Sequence, residues 1–129
     1  MPRKSYYQKL FLIGALWNWV ATVIFALGYG VIFPLFGLPL PIYPVFFLMF
    51  LGLAFVFGIG YYWVSKDIYK NHDIVRMGII GKIIVFVALV WAWVDGQIPL
   101  ILTGAGVADL VFAILYFEFL HFFRKSEAA

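Results

Sequence analysis

Long apolar runs, separated by short polar or proline-rich segments, organise the whole chain. Four of these runs reach the roughly 20 residues that a helix needs to cross a ~30 Å hydrocarbon layer, and they cover residues 10–33, 45–65, 74–94 and 99–123. Only isolated polar side chains interrupt them. The pattern predicts an all-α, integral membrane four-helix bundle in which residues 1–129 form a single transmembrane domain.

The segments between the runs are short and differ in character. Residues 34–44 contain four prolines and no charge, so they cannot be regular helix throughout and are expected at the membrane interface. Residues 66–73 form the one polar loop. Residues 95–99 have the composition of a tight turn, and Pro99 is expected to open the last helix.

Basic residues lie on one side of a four-span chain. They are Arg3, Lys4, Lys9, Lys66, Lys70, Arg76, Arg124 and Lys125. Because Lys and Arg favour the cytoplasmic face and the other side carries only Asp95, both termini are predicted to be cytoplasmic. Aromatic side chains near the span ends are expected to act as interface anchors: Tyr6, Tyr7, Tyr43, Tyr61, Tyr62, Trp63 and Trp93. This layout predicts a multi-pass protein of a bacterial or archaeal cytoplasmic membrane.

Composition narrows the classes of function. The chain is 66% hydrophobic and 12% charged, against about 25% charged in soluble domains. It contains no cysteine and only two histidines, which argues against thiolate, haem or histidine-rich metal centres, and no acyl-transfer triad or phosphate-binding loop is present. We therefore expect no cofactor, no metal and no catalytic residue. The net charge of +3 is explained by topology, so nucleic acid is not expected as a partner.

Few ionisable or strongly polar side chains lie inside the spans, and they are the candidate functional residues. They are Asn18, Lys82, Asp109, Glu118 and His121. A central charge costs about 2.5 to 3.5 kcal/mol on insertion scales. Lys82 lies about 12 Å from the cytoplasmic edge of its span, so it can either snorkel to the headgroups or find a partner. Asp109 lies near the midplane and must be protonated, hydrogen-bonded or exposed to a cavity; a neutral carboxyl that only joins helices is the alternative.

Helical spacing places the candidate ligand-binding residues on inward faces. Asn18, Lys82, Asp109 and Tyr116 form this set, with Tyr116 expected to bridge toward Asp109. Direct contact between Lys82 and Asp109 is not required by the pattern, because their depths differ by about 9 Å when counted from the cytoplasmic ends of their spans.

Glu118 projects roughly opposite to Asp109 on the same helix. We expect it at the rim of the bundle, near the interface, where it can interact with His121 at i+3 or with Lys125 at i+7. A structural role is therefore expected for it.

Three short motifs resemble small DoxX-like four-helix membrane proteins. They are "ALWNWV" at residues 15–20, "GIIGK" at residues 78–82 and "GVADLVFAILY" at residues 106–116. The resemblance implies the four-helix architecture and a polar pocket centred on Asn18, Lys82 and Asp109. Some members of that group are associated with quinone-linked oxidoreductases, but no redox-active residue set here supports carrying an activity over.

Three functions are compatible with this sequence. The leading hypothesis is a non-enzymatic accessory subunit or binder of a lipophilic molecule, a lipid or a quinone-like compound, held by the intramembrane polar cluster. The first alternative is a small oligomeric transporter or channel with Asp109 as its protonation site. The second is an enzyme acting on a lipid-soluble substrate. Membrane lipids, a lipophilic ligand, and a membrane protein or a second copy of the chain are the expected partners.

Overall fold

The computed structural model describes residues 3–128, with side chains up to residue 124, and this part of the chain is 84% helical and contains no strand. Four long helices follow one another: α1 (Lys4–Leu35), α2 (Pro44–Lys66), α3 (His72–Val94) and α4 (Thr103–Ala128). All four are long and apolar enough to cross a membrane. Large apolar side chains are exposed along the outside of the bundle, as expected for a multi-pass protein whose solvent is lipid.

The helices extend beyond the predicted spans, because backbone hydrogen bonding continues into the polar flanks. α1 begins six residues earlier than the apolar run predicted, at Lys4. Before the last helix, a 3₁₀ turn, Leu100–Leu102, separates Pro99 from α4. Pro99 is extended (φ −69°, ψ 155°) and stands at the N-cap of this turn, which runs directly into α4. The helical span therefore begins after Pro99 as predicted, but its first turn is 3₁₀ and not α.

α1 and α3 end in the same local structure. Gly37 follows α1 with φ +72° and Gly96 follows α3 with φ +79°, a left-handed conformation that glycine adopts without a steric penalty. The amide after each glycine donates to the carbonyl five residues back, at 2.9 Å after α1 and 2.8 Å after α3. This Schellman arrangement satisfies the last carbonyls of each helix and turns the chain back toward the bundle.

The bundle consists of two helical hairpins joined by aromatic packing. The backbones approach closely within each hairpin, α1 along α2 and α3 along α4, whereas α1 and α4 meet through large side chains. Phe11 stacks on Tyr116 with ring centroids 4.6 Å apart, and Tyr7 lies edge-on to Phe119 at 4.9 Å. Tyr7 and Tyr61 are fully buried, so the prediction that these two are interface anchors is wrong: each ring faces the seam between the hairpins.

Candidate functional site

An ion pair lies inside the bundle, at the seam of the second hairpin. Lys82 of α3 places its Nζ 2.8 Å from Oδ1 of Asp109 in α4. The Lys82 side chain is 5% exposed and that of Asp109 is 16% exposed. Lys82 therefore does not snorkel to the headgroup region but points at a carboxylate within the spans.

The register of α3 and α4 explains why this contact is direct. A Cβ on Gly106 would lie 3.3 Å from the Cα of Phe86, so the two backbones touch at this level. Lys82 lies four residues before Phe86 in α3, and Asp109 lies three residues after Gly106 in α4. Because the two helices are antiparallel, both residues lie toward the same end of the bundle from this contact. At 1.5 Å per residue the two Cα atoms differ in depth by about 1.5 Å. The sequence-based offset of about 9 Å is wrong, because it was counted from the ends of spans of unequal length.

α1 completes the polar cluster with two adjacent residues. The Oδ1 atom of Asn18 accepts from Lys82 Nζ at 3.3 Å, while its Nδ2 donates to the carbonyl oxygen of Ala54 in α2 at 2.8 Å. The bond to Ala54 orients the amide so that its oxygen faces the ammonium. Trp17 Nε1 donates to Oδ1 of Asp109 at 3.2 Å. All four helices thus contribute to one hydrogen-bonded network, which is the usual way in which membrane interiors hold charges.

Two aromatic rings cover the ammonium of Lys82. The nitrogen lies 5.4 Å from the ring centroid of Tyr61 and 5.2 Å from that of Phe112, distances at which the π face attracts a cation. The Lys82 ammonium therefore lies among a carboxylate oxygen, an amide oxygen and two rings.

Sequence reasoning missed Trp17 and Tyr61 as site residues. An indole N–H inside a span needs an acceptor, and Trp17 directly precedes Asn18, so the "LWN" triplet contained a usable signal for Trp17. Nothing in the sequence distinguishes Tyr61 from Tyr62, which is only half-buried. The distinction comes from Gly78, against which the Tyr61 hydroxyl packs: a Cβ there would lie 2.5 Å from that oxygen.

Tyr116 lies in the core but does not bridge to Asp109 by a hydrogen bond. Its side chain is fully buried, its ring lies 5.1 Å from that of Tyr61, and its hydroxyl has no hydrogen-bond partner among the described residues. The hydroxyl packs directly against Gly14 of α1. The structure therefore brings Asn18, Lys82 and Asp109 together, while the expected bridging role of Tyr116 is wrong because the hydroxyl is directed at a helix backbone.

Glu118 lies on the exposed rim, as predicted, but its partner differs. Its Oε1 atom is 3.0 Å from the guanidinium of Arg3, and both side chains are about half exposed. The pairing with His121 is therefore wrong, because the N-terminal extension of α1 brings Arg3 alongside α4. The side chain of Lys125, the other expected partner, lies outside the described residues.

The concavity between α3 and α4 is apolar. A groove of about 200 Å³ runs between α3 and α4 and is lined by Ile79, Ile83, Leu110, Ala113, Ile114 and Phe117. Ile83 and Leu110 directly follow the two charged residues in the sequence, so one end of the groove lies at the depth of the ion pair. Among the described side chains, no group of three or more His, Asp or Glu residues is placed to hold a metal ion.

One acceptor of the cluster remains unused. Both hydrogen bonds to the Asp109 carboxylate end on Oδ1, and Oδ2 accepts none from the described part of the chain. Because part of this side chain is accessible, Oδ2 is available to a group from outside the bundle.

Fold and site together define a class: a multi-pass, four-helix membrane protein whose helices are joined by a buried lysine–aspartate pair. The chain matches no known protein-family model, no curated protein and no solved structure at a significant level.

Proposed function

We propose that this chain is a non-enzymatic membrane protein that binds a lipophilic molecule, a lipid or a quinone-like compound, and acts as an accessory subunit. The observation that carries the proposal is the unused Oδ2 of Asp109, a hydrogen-bond acceptor held inside apolar spans. A hydroxyl or other donor on an amphiphile supplies what this oxygen lacks. A quinone-type ligand meets this need in its hydroxyl-bearing quinol form.

The surroundings of Asp109 suit such a ligand. The apolar groove between α3 and α4 offers room for a chain or ring system, and two of its lining residues, Ile83 and Leu110, directly follow Lys82 and Asp109 in the sequence. The remaining polar atoms of the cluster bond to one another, since Trp17, Asn18 and Lys82 already have partners. A ligand therefore adds one hydrogen bond without breaking the network, which keeps the desolvation cost of binding low.

Ligand retention should depend on Asp109 and not on Glu118. We expect native mass spectrometry in mild detergent to show a bound lipid or quinol on the unaltered chain and on Glu118→Gln, and to show its loss on Asp109→Asn. Glu118 is the matched control, because it is a carboxylate of the same helix that is paired at the exposed rim. Equal retention by the two amide variants would remove the basis of the proposal.

The proposal places both termini and the α2–α3 loop on the cytoplasmic side of a bacterial or archaeal membrane. Cysteines introduced at Asn71 and Gly96, on opposite ends of α3, are expected to react from opposite sides of sealed cells. An impermeant thiol reagent should label only the Gly96 position until the membrane is permeabilised. Equal labelling of both positions in sealed cells would contradict the four-span topology.

A second candidate is a small transporter, formed by several copies of the chain, in which Asp109 binds a proton. The observation that favours it is the place of Asp109, a partly accessible carboxylate within the membrane spans. Proton-coupled solute flux in liposomes that contain only this chain, abolished by Asp109→Asn, would support transport over the accessory role.

A further inference from the structure

The surroundings of the Lys82 ammonium have the composition of an organic-cation site. A carboxylate oxygen lies 2.8 Å from the nitrogen and an amide oxygen 3.3 Å from it. Two aromatic ring centroids lie 5.2 and 5.4 Å away. Proteins recognise ammonium ligands with such a set, in which the carboxylate supplies charge and hydrogen-bond acceptance and the ring faces supply cation–π attraction.

This site holds only one monovalent cation at a time. Asp109 is the one carboxylate among the residues described around the ammonium, and a second positive charge would leave the interior of the spans with a net charge. An external ammonium group must therefore replace Lys82 at Asp109. Lys82 leaves by snorkelling along α3, because helical side chains lean toward the N-terminal end of their helix.

We infer that Asn18, Tyr61, Asp109 and Phe112 form a primary-ammonium site that Lys82 fills as a built-in occupant, and that the ammonium group of an amphiphile competes for it. The inference goes beyond the proposed function. The neutral ligand proposed above bonds Oδ2 beside an intact ion pair, whereas a primary amine, carried either by a lipid headgroup or by a free amphiphilic amine, takes the place of Lys82 at Oδ1. The adjacent apolar groove takes the chain of the amphiphile.

Chemical rescue tests the site. Lys82→Ala removes the four side-chain atoms beyond Cβ, which together correspond to n-propylamine. We expect this variant to unfold at a lower Tm in detergent, and n-propylammonium chloride to restore most of the loss in a saturable way. Potassium chloride at equal ionic strength should have no such effect, since K⁺ lacks the propyl chain and the N–H donors. 1-Propanol should have none either, since it has the propyl chain but no charge. Tetramethylammonium should rescue poorly, because it has no N–H to donate to Asp109.

Two further samples are controls. Lys82→Ala with Asp109→Asn should gain nothing from n-propylammonium, because the carboxylate is gone, and the unaltered protein should gain far less than Lys82→Ala, because its site is already filled. If Lys82→Ala does not fold in amine-free buffer, its folded yield with and without n-propylammonium replaces the Tm. Absence of recovery in either measure, or an equal gain by the unaltered protein, would overturn the site.

The source of the ammonium group is decided in nanodiscs. A higher Tm of Lys82→Ala in nanodiscs of phosphatidylethanolamine than in nanodiscs of phosphatidylglycerol with the same acyl chains identifies the lipid headgroup as the source. A higher Tm with dodecylammonium, but not with phosphatidylethanolamine, identifies a free amine. No effect of either amphiphile would overturn the competition. Retention of a neutral quinol without amine rescue would support the proposed function and overturn this inference. Amine rescue of a chain that retains no neutral lipophilic ligand would support this inference and overturn the proposed function.

Discussion

Lys82→Met and Asp109→Asn are each expected to lower the free energy of unfolding by about 3 to 5 kcal/mol, while the double variant loses far less than their sum. Each single change leaves one charged group among apolar side chains without its counter-charge, since the two groups are 2.8 Å apart and mostly buried. The double variant removes both charges together. What remains is a methionine that fits an apolar span and an amide that can still accept from Trp17.

This double-mutant cycle is measured as reversible unfolding in mixed micelles of one composition, with folded yield recorded for each variant. The matched control is the pair Arg76 and Asp73, which is equally close, at 2.6 Å, but lies on the exposed start of α3. Arg76→Met and Asp73→Asn should have small and nearly additive effects, because solvent replaces the lost partner. Additive losses for Lys82 and Asp109 would show that the two charges are not coupled.

The spans and the charged candidates were accessible from the sequence for a simple physical reason. A bilayer tolerates so few polar groups that every one inside an apolar run needs an explanation. Asn18, Lys82 and Asp109 were selected in this way, and the structure brings their side chains into one network. On the Asp109 face of α4, the small residues Gly106 and Ala113 are buried as well, whereas Ala105 is exposed.

The relative depth of the two charged residues was not accessible, because it depends on where two helices touch. A depth that is counted from the end of an apolar run includes the error in the position of that end. In addition, helices extend past the hydrocarbon layer by different lengths. The close approach of Gly106 to Phe86 sets the level of both residues instead. A glycine within a span indicates that something approaches closely, but not which residue of which helix does so.

The aromatic residues were predicted least well, since a tyrosine near a span end suits both the interface and the core. Tyr61 and Tyr116 each place a hydroxyl against a glycine of a different helix, Gly78 and Gly14. These contacts depend on the rotation of whole helices about their axes. A pattern along one helix determines its buried face only approximately, so it cannot tell which neighbouring tyrosine fills a given gap.

Tyr116→Phe is expected to leave the protein as stable as before, or more stable by about 1 kcal/mol, because it removes a buried hydroxyl that has no partner among the described residues. Gly14→Ala should instead cost about 1 to 3 kcal/mol, because its Cβ overlaps that hydroxyl and the helices must shift to admit it. Combined with Tyr116→Phe, the same alanine should cost much less, since its methyl group occupies the space that the oxygen leaves.

Gly30→Ala is the control for these variants, because it adds the same methyl group to the same helix where no atom lies within 4 Å. It should be neutral or slightly stabilising, as alanine favours helix over glycine. Unfolding in mixed micelles and ligand retention by native mass spectrometry are measured on all four variants. If Tyr116→Phe instead lowers stability or releases the bound molecule, the hydroxyl has a partner supplied by the ligand, and Tyr116 belongs to the binding site with Asn18, Lys82 and Asp109.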